Sequence, residues 1–151
     1  CGENAHGDYA NMRGVSIADH TARVDLLFRL GAARGIPTIG VGDGGNEIGM
    51  GNLATVIAER LELVPCITTA EHLVLATVSN WGAYGLCAYL ERFSGQRLLP
   101  DYAAVMEYLE TIVDLGCVDG VTKELTATVD GYPTQVKQEI LDALRAAVRP
   151  L

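Results

Sequence analysis

The chain has 151 residues, with 11 Lys and Arg against 19 Asp and Glu, and therefore a net charge of −8 at neutral pH. Hydrophobic residues make up 49% of the chain and charged residues 20%, which excludes an intrinsically disordered protein. The acidic balance argues against duplex nucleic acid as a partner, because proteins neutralise its phosphates with Lys and Arg. The longest apolar runs, about seven residues, fall far short of the ~20 that a membrane span requires.

The length fits one domain, which we place over residues 1–151. The sequence begins at Cys1 with neither an initiator Met nor a signal peptide, and we expect a domain that is incomplete at its N-terminus. The four cysteines show no CxxC spacing, and the apolar neighbours of Cys66, Cys87 and Cys117 indicate buried free thiols. Free thiols favour a reducing compartment, and we expect the bacterial cytoplasm.

The predicted elements alternate between helix and strand. Residues 1–15 are polar and glycine-rich, which predicts a loop. Beyond them, apolar residues recur either at helical spacing or in short β-branched runs. The helical spacing predicts helices over 19–34, with Asp19 as its cap, and over 53–61, 81–93, 101–115 and 133–148. The short runs predict strands over 36–41, 63–68, 72–78 and 125–129. This order predicts an α/β fold with a mostly parallel sheet and helices on its faces.

The segment 42–51 is the strongest candidate for a functional loop, because five of its ten residues are Gly. It joins a predicted strand to a predicted helix, where free N–H groups and the helix dipole favour an anionic group. We expect positive φ at Gly44 and Gly45, so that a side chain at Gly45 blocks a ligand. The loop matches neither GxGxxG nor GxxxxGK[ST]. A turn that uses glycine for packing is the alternative, but Asp43 and Glu47 contribute little to packing.

A second segment, 79–85, also lies where a predicted strand meets a predicted helix. Ser79 or Asn80 is a suitable N-cap for that helix, and capping is the structural interpretation of the segment. Trp81, with glycines near it, is not explained by capping. A wide aromatic wall beside small residues would shape a pocket, so we count Asn80 and Trp81 as candidate site residues.

The leading loop supplies a third polar set, which includes Asn11 and Arg13. An arginine at this position can clamp a carboxylate through two parallel hydrogen bonds. The alternative is a solvated loop that binds nothing.

The loop 42–51 (GDGGNEIGMG), taken with SNWG at 79–82, resembles the C-terminal domain of the D-glutamate cyclase family. The YANMR stretch at 9–13 and the VDG turn at 129–131 resemble further motifs of that family. The resemblance extends over about residues 2–145, nearly the whole chain. A ten-residue match to an unusual string, followed by a second motif in the expected order, is a specific signal.

The resemblance implies the interconversion of D-glutamate with 5-oxo-D-proline and water. Ring closure needs a base for the α-ammonium group and a proton donor or a cation at the γ-carboxyl group. Asp43 and Glu47, one helical turn apart, are the candidates for these catalytic roles. The expected substrate-binding residues contribute backbone N–H groups, polar side chains or an aromatic wall, and they are Gly44, Gly45, Asn46, Asn11, Arg13, Asn80 and Trp81.

A divalent cation, Mg²⁺ or Mn²⁺, held by Asp43 and Glu47 is the alternative to direct proton transfer, and the sequence requires no other cofactor. Two positions, Glu71 and 122–123, depart from the family pattern. Two other functions stay open, a kinase-like domain that binds phosphate or nucleotide and a non-catalytic ligand-binding domain.

The expected partners are a small amino-acid substrate, further copies of the chain in a homo-oligomer, and any chain that precedes residue 1. Nucleic acid and membranes are not expected partners. For a eukaryotic source, the family resemblance implies the mitochondrial matrix.

Overall fold

We describe residues 1–148 from a computed structural model. The chain divides into two compact units, Cys1–Gly82 and a second that begins at Ala83, and each is described by itself. The single domain expected over residues 1–151 stays a prediction. Within residues 1–148, every helix is too short or too polar to cross a membrane.

The first unit contains a two-stranded parallel sheet. Its regular elements are, in chain order, a 3-10 turn at Ala18–His20, α1 (Asp25–Ala33), β1 (Ile39–Gly42), a 3-10 turn at Gly51–Leu53, α2 (Ala54–Arg60), β2 (His72–Leu75) and the start of α3 (Ser79–Ser94). The register of the sheet runs from Ile39 opposite His72 to Gly42 opposite Leu75. The predicted α/β class and parallel sheet are therefore confirmed.

α1 is shorter than the helix predicted over 19–34, and Asp19 does not cap it. Asp19 lies in the 3-10 turn, and α1 begins six residues later, at Asp25. The buried Asp25 carboxylate accepts the Tyr9 hydroxyl at 2.7 Å and pairs with Arg29, one helical turn later, at 3.2 Å. These tertiary contacts fix the first turn of α1 at Asp25.

The strand predicted over 63–68 is absent. Its backbone groups bond to loops instead: the Cys66 N–H donates to Gly45 O at 2.9 Å, and the Ile67 N–H donates to Glu3 O at 2.9 Å. Thr68 O accepts the N–H groups of both Gly49 and Gly51. The segment therefore holds the leading segment and the glycine loop through single backbone hydrogen bonds, with one isolated bridge between Cys66 and Asn4. The later piece, predicted over 72–78, is confirmed as the shorter β2.

The first turn of α3 packs directly on the sheet. A Cβ at Gly82 would lie 2.8 Å from Val41 Cγ1 and 3.1 Å from the Ala76 side chain, so only glycine allows this approach. Met50, Ile57 and Cys66 form the buried core under the glycine loop. The start of α3 is thereby held at the end of the sheet where β1 and β2 terminate.

The second unit consists of the rest of α3 with α4 (Tyr102–Asp114) and α5 (Thr134–Ala147). Its core is formed by buried apolar side chains from these three helices and the loop before α4, namely Ala88, Leu99, Val105, Leu109 and Leu141. The two predicted helices over 101–115 and 133–148 are confirmed to within a residue or two at each end.

The strand predicted over 125–129 is wrong. Only Val129 forms a bridge, to Tyr132 across a turn. The alternating threonines serve Asp119 instead: its buried carboxylate accepts the Thr128 hydroxyl at 2.7 Å and the Gly131 N–H at 2.9 Å. These donors hold the pKa of Asp119 at about 2, despite the opposing effect of burial, so the carboxylate stays ionised.

The cysteines are all free, as expected. Burial differs among them: Cys66 is buried and Cys87 is half-buried, whereas Cys117 is exposed, so the burial predicted for Cys117 is wrong. Cys117 follows the end of α4 in a loop, where its apolar neighbours Leu115 and Val118 are themselves exposed.

Lys137 on α5 is buried without a carboxylate partner among residues 1–148. Its ammonium group donates to Ala127 O at 3.0 Å and lies 3.8 Å from Met106 Sδ. Burial lowers the pKa of Lys137. The unfolded chain therefore binds this proton more tightly than the folded chain. The contribution of Lys137 to the free energy of unfolding rises with pH until the pH reaches the ordinary pKa of lysine, about 10.4.

We predict that Lys137→Met raises the melting temperature at neutral pH and flattens its rise between neutral pH and about pH 10, because a buried ammonium group is replaced by an apolar side chain. Differential scanning calorimetry across this range measures both effects. Gln138→Met, at the exposed neighbouring position on α5, is the matched control and should leave the pH dependence unchanged. A lower melting temperature for Lys137→Met at neutral pH would contradict the prediction.

Candidate functional site

Asp43 and Ser79 meet at the carboxyl edge of the sheet. Asp43 directly follows β1, and Ser79 begins α3 four residues after the end of β2. The Asp43 Oδ2 atom accepts the Ser79 N–H at 2.6 Å and the Ser79 hydroxyl at 2.7 Å. Parallel strands bring their carboxyl ends to one edge, which is where open α/β sheets bind ligands. The exposed Asp43 carboxylate is therefore held at a ligand-binding edge.

The backbone N–H groups of Gly44 and Gly45 form a pair that we call the amide cradle. The Glu47 carboxylate accepts hydrogen bonds from both. The Gly45 N–H donates to Glu47 Oε2 at 2.8 Å, and the Gly44 N–H lies 3.3 Å from both carboxylate oxygens. A Cβ at Gly42 would lie 3.2 Å from Glu47 Oε2, so glycine at this position leaves room for the carboxylate. The loop thus binds a carboxylate supplied by its own chain.

The two acidic side chains differ in environment. Glu47 is half-buried, and this burial is the largest cause that raises its pKa. The Gly45 N–H acts in the opposite direction, while Asp43 raises the pKa further through its charge and through a hydrogen bond between the two side chains. The protonated form of Glu47 therefore persists to a higher pH than in an ordinary glutamate. A proton-holding carboxyl group beside an exposed carboxylate is an arrangement suited to acid–base chemistry.

The two glycines of the cradle have different roles. Gly45 has φ +114°, as predicted, but Gly44 is not among the glycines with positive φ, so that expectation is wrong for Gly44. A Cβ at Gly45 would lie 3.0 Å from Ile57 and 3.1 Å from Leu63. The prediction that a side chain there blocks a ligand is therefore also wrong, because it would enter the apolar core. A Cβ at Gly44 would instead face Glu47 Oε1 at 3.4 Å.

Asn46 joins the glycine loop to the leading segment. Its side-chain amide donates to Ala10 O at 3.1 Å, and its backbone carbonyl accepts the Gly2 N–H at 3.0 Å. The amide is thus already used in positioning the loop. The substrate contact expected of Asn46 stays a prediction.

The leading segment is anchored by a cluster of charged side chains around Tyr9, the residue before Ala10. The buried Tyr9 hydroxyl donates to Asp25, and Arg23 Nε donates to the Tyr9 oxygen at 3.2 Å. Glu3 pairs with both Arg23 and Arg29. This cluster fixes the backbone that receives the Asn46 amide, and so supports the loop from outside the site.

Asn11 and Arg13 lie in a turn of the leading segment. Asn11 Oδ1 accepts the N–H groups of Arg13 at 2.9 Å and Val15 at 3.1 Å, which closes the turn. Arg13 is exposed. The structure therefore gives Asn11 a role in turn formation, and the carboxylate clamp expected of Arg13 stays a prediction.

α3 begins at Ser79, two residues before the predicted start. Asn80 is exposed in the first turn and Trp81 is half-buried. The residue that contacts Asp43 is Ser79, which sequence reasoning treated as a cap and left out of the site. Its position after the adjacent parallel strand was the available signal, because both strands end at the same edge.

The donor set argues against a tightly held cation. Residues 1–148 contain no group of three or more His, Cys, Asp or Glu side chains placed to hold a metal ion. Mg²⁺ and Mn²⁺ favour several oxygen ligands, and here Asp43 and Glu47 would have to supply them with water. The Glu47 oxygens already accept N–H groups of the amide cradle, which a cation would displace.

We predict that Gly45→Ala destabilises the chain by about 1–3 kcal/mol, because alanine is strained at positive φ and its methyl group is crowded by Ile57. The matched variant Gly44→Ala has no positive φ to accommodate and should change the free energy of unfolding by less than about 1 kcal/mol. Urea unfolding measures both values. Equal losses of stability in the two variants would contradict the distinction.

Comparison with known proteins agrees with the motifs. A family model described as D-glutamate cyclase-like, C-terminal, matches residues 1–145. The human protein named "D-glutamate cyclase, mitochondrial" is 32% identical over 181 aligned residues, which cover 97% of this chain and 29% of the human protein. The chain therefore spans less than a third of the length of that relative. By the extent of both matches, the chain belongs to the D-glutamate cyclase-like C-terminal family.

Proposed function

We propose that the site at the carboxyl edge of the sheet interconverts D-glutamate and 5-oxo-D-proline with water, as a carbon–oxygen lyase. The observation that carries the proposal is the pair formed by exposed Asp43 and half-buried Glu47, whose pKa is raised. The name of the human relative supports the choice of substrate.

The reaction forms one bond and breaks another. In the direction of cyclisation, the α-nitrogen bonds to the γ-carboxyl carbon, and one oxygen of that carboxyl group leaves as water. The ammonium group loses two protons, both of which end on the departing oxygen, and the third stays on the lactam nitrogen. The site must therefore accept two protons from nitrogen and deliver two to oxygen.

Asp43 suits the role of base. It is exposed, so a substrate ammonium group can reach it, and the two donors of Ser79 fix the orientation of its carboxylate. Ser79 thereby acts as a positioning residue. Asp43 takes a proton from the ammonium group and leaves the nitrogen lone pair free to attack.

Glu47 suits the role of acid, because burial and the neighbouring Asp43 raise its pKa and so hold its proton to a higher pH than in an ordinary glutamate. Glu47 delivers one proton to the γ-carboxyl oxygen that leaves as water, Asp43 delivers the other, and the second proton lost by nitrogen restores Glu47. Negative charge that develops on the other oxygen can be stabilised by backbone N–H groups, as in an oxyanion hole. In the reverse direction the same two groups exchange roles, as microscopic reversibility requires.

A phosphate- or nucleotide-binding function fits the loop less well. A phosphate carries up to about two negative charges, and at this loop it would meet two acidic side chains, Glu47 on the N–H groups and Asp43 beside them. Such a function predicts that ATP raises the melting temperature while D-glutamate and 5-oxoproline do not. A non-catalytic ligand-binding domain predicts saturable binding without turnover.

The remaining proposals concern the cellular compartment and the oligomeric state. For a eukaryotic source we propose the mitochondrial matrix, in line with the name of the human relative, and for a bacterial source the reducing cytoplasm. We also propose a homo-oligomer, whose state size-exclusion chromatography with light scattering measures.

Incubation of the full-length protein with 5-oxo-D-proline tests the function directly, with D-glutamate followed by chiral chromatography. Formation of D-glutamate in proportion to enzyme and time is the expected result. A protein that binds 5-oxo-D-proline but forms no D-glutamate would instead be a ligand-binding domain.

We predict that Asp43→Asn and Glu47→Gln each lower turnover by about 10²–10⁴-fold, because each amide keeps the shape of the side chain and cannot exchange the proton. The double variant should be little worse than the poorer single variant, since the two groups act together. The raised pKa of Glu47 also predicts that cyclisation slows as pH rises through that pKa, because the acid form is lost.

Glu71→Gln is the matched control, since Glu71 is an exposed carboxylate immediately before β2, at the opposite end of that strand. It should keep wild-type turnover. The melting temperature of Glu47→Gln should stay level or rise, because a raised carboxyl pKa makes folding weaker as pH increases. Near-wild-type turnover in both amide variants would place the chemistry elsewhere. If chelation abolished the activity of the wild type and Mg²⁺ or Mn²⁺ restored it, a metal site would replace direct proton transfer by the two side chains.

A further inference from the structure

The amide cradle shows which chemical group it binds, because it already holds one. Its occupant, the Glu47 side chain, is a carboxylate on an arm of two methylene groups. D-Glutamate carries the same arm and the same group beyond its α-carbon. We infer that the amide cradle is the subsite for the substrate γ-carboxylate, and that Glu47 occupies it as an internal stand-in which the substrate displaces. This inference rests on the proposed function.

The cradle is shaped for a carboxylate. Gly45 N–H and Gly44 N–H converge on the two oxygens of one group, and the positive φ of Gly45 is what turns the two N–H groups toward each other. The missing Cβ atoms of Gly42 and Gly44 leave space at 3.2 Å and 3.4 Å from the bound oxygens. Two backbone donors sense the carboxylate and not the chirality of the distant α-carbon, so stereochemical choice falls to other residues.

Displacement is favoured by the environment of Glu47. Its raised pKa means that Glu47 is more often neutral than an ordinary glutamate, and a neutral carboxyl group is a weaker acceptor than an ionised one. An incoming γ-carboxylate that arrives ionised therefore competes well for the two N–H groups. Glu47 is also only half-buried, so its side chain has solvent to move into.

The exchange places the reacting groups where the reaction needs them. Once the γ-carboxylate lies in the amide cradle, both donors face the oxygen on which negative charge develops during attack by nitrogen. The displaced Glu47 remains in the same loop, four residues after Asp43, from where it can deliver a proton to the oxygen that leaves.

Glutarate is a suitable probe, because it has two carboxylates on methylene arms and no amine, and so cannot cyclise. We would titrate it into the 15N-labelled full chain, follow the Gly44 and Gly45 amide signals, and compare dissociation constants for the wild type, Glu47→Ala and Glu47→Gln. Both variants remove the same charge. Only Glu47→Gln keeps a carbonyl oxygen that can fill the cradle.

We predict that glutarate binds Glu47→Ala about 10-fold more tightly than Glu47→Gln, with the largest shifts at Gly44 and Gly45, because only alanine leaves the cradle empty. Equal affinities in the two variants, or shifts located elsewhere, would overturn the inference. Glu47→Ser, which also removes the charge and is too short to fill the cradle, replaces Glu47→Ala if that variant does not fold.

The binding result is independent of turnover. Tight glutarate binding by Glu47→Ala, in a protein whose wild type forms no D-glutamate, would retain the carboxylate subsite and refute the proposed function. Turnover by the wild type without tighter binding by Glu47→Ala would retain the function and refute the subsite.

Discussion

The contact between Asp43 and Ser79 is the constraint on which the site depends. It joins the residue that leaves β1 to the first residue of α3, through one N–H and one O–H donor on a single carboxylate oxygen. A carboxylate at a helix N-terminus is stabilised by the dipole, at a surface position by about 0.3–1 kcal/mol. The close packing of Gly82 on Val41 holds α3 at the same place from beneath. The base of the proposed reaction is therefore fixed by the parallel sheet itself.

The second feature, Glu47 in its amide cradle, shows how one loop can be stable and reactive. The backbone N–H groups of Gly44 and Gly45 would otherwise need water or a ligand as an acceptor, and Glu47 satisfies them in the free protein. Burial and Asp43 act against ionisation of the same carboxyl group, which keeps a proton in the site. The N–H groups favour the ionised form of Glu47, whereas burial and Asp43 favour the protonated form. Because both act on the same side chain, Glu47 can serve as an acid and can also be displaced from the amide cradle.

The sequence predicts the outline of this arrangement and misses its contacts. A glycine-rich segment between an apolar strand and a helix is visible from periodicity, and so are Asp43 and Glu47 within it. The role of Ser79 could be predicted only with the knowledge that β2 lies beside β1, because Ser79 and Asp43 are 36 positions apart in the sequence. That Glu47 fills the cradle depends on the φ of Gly45, which composition does not specify.

Two of the wrong elements, the start of α1 and the strand over 125–129, share a physical cause. The start of α1 is set by the contact of Asp25 with Tyr9, and the alternating threonines near residue 128 serve the buried carboxylate of Asp119. In both places a buried acidic side chain collects hydrogen bonds from distant residues and overrides the local pattern. Propensity and periodicity describe neighbours along the chain, so they do not register such contacts.

The pKa of Glu47 is the most direct test of the account. Carboxyl 13C chemical shifts of Glu47, followed across acidic to neutral pH in the full chain, measure it in the wild type and in Asp43→Asn. We expect the Glu47 pKa above the ordinary range for glutamate in the wild type, and a lower value in Asp43→Asn, where burial alone still raises it. A wild-type Glu47 that titrates at or below its ordinary value would contradict the proton-holding pair on which the proposed function rests.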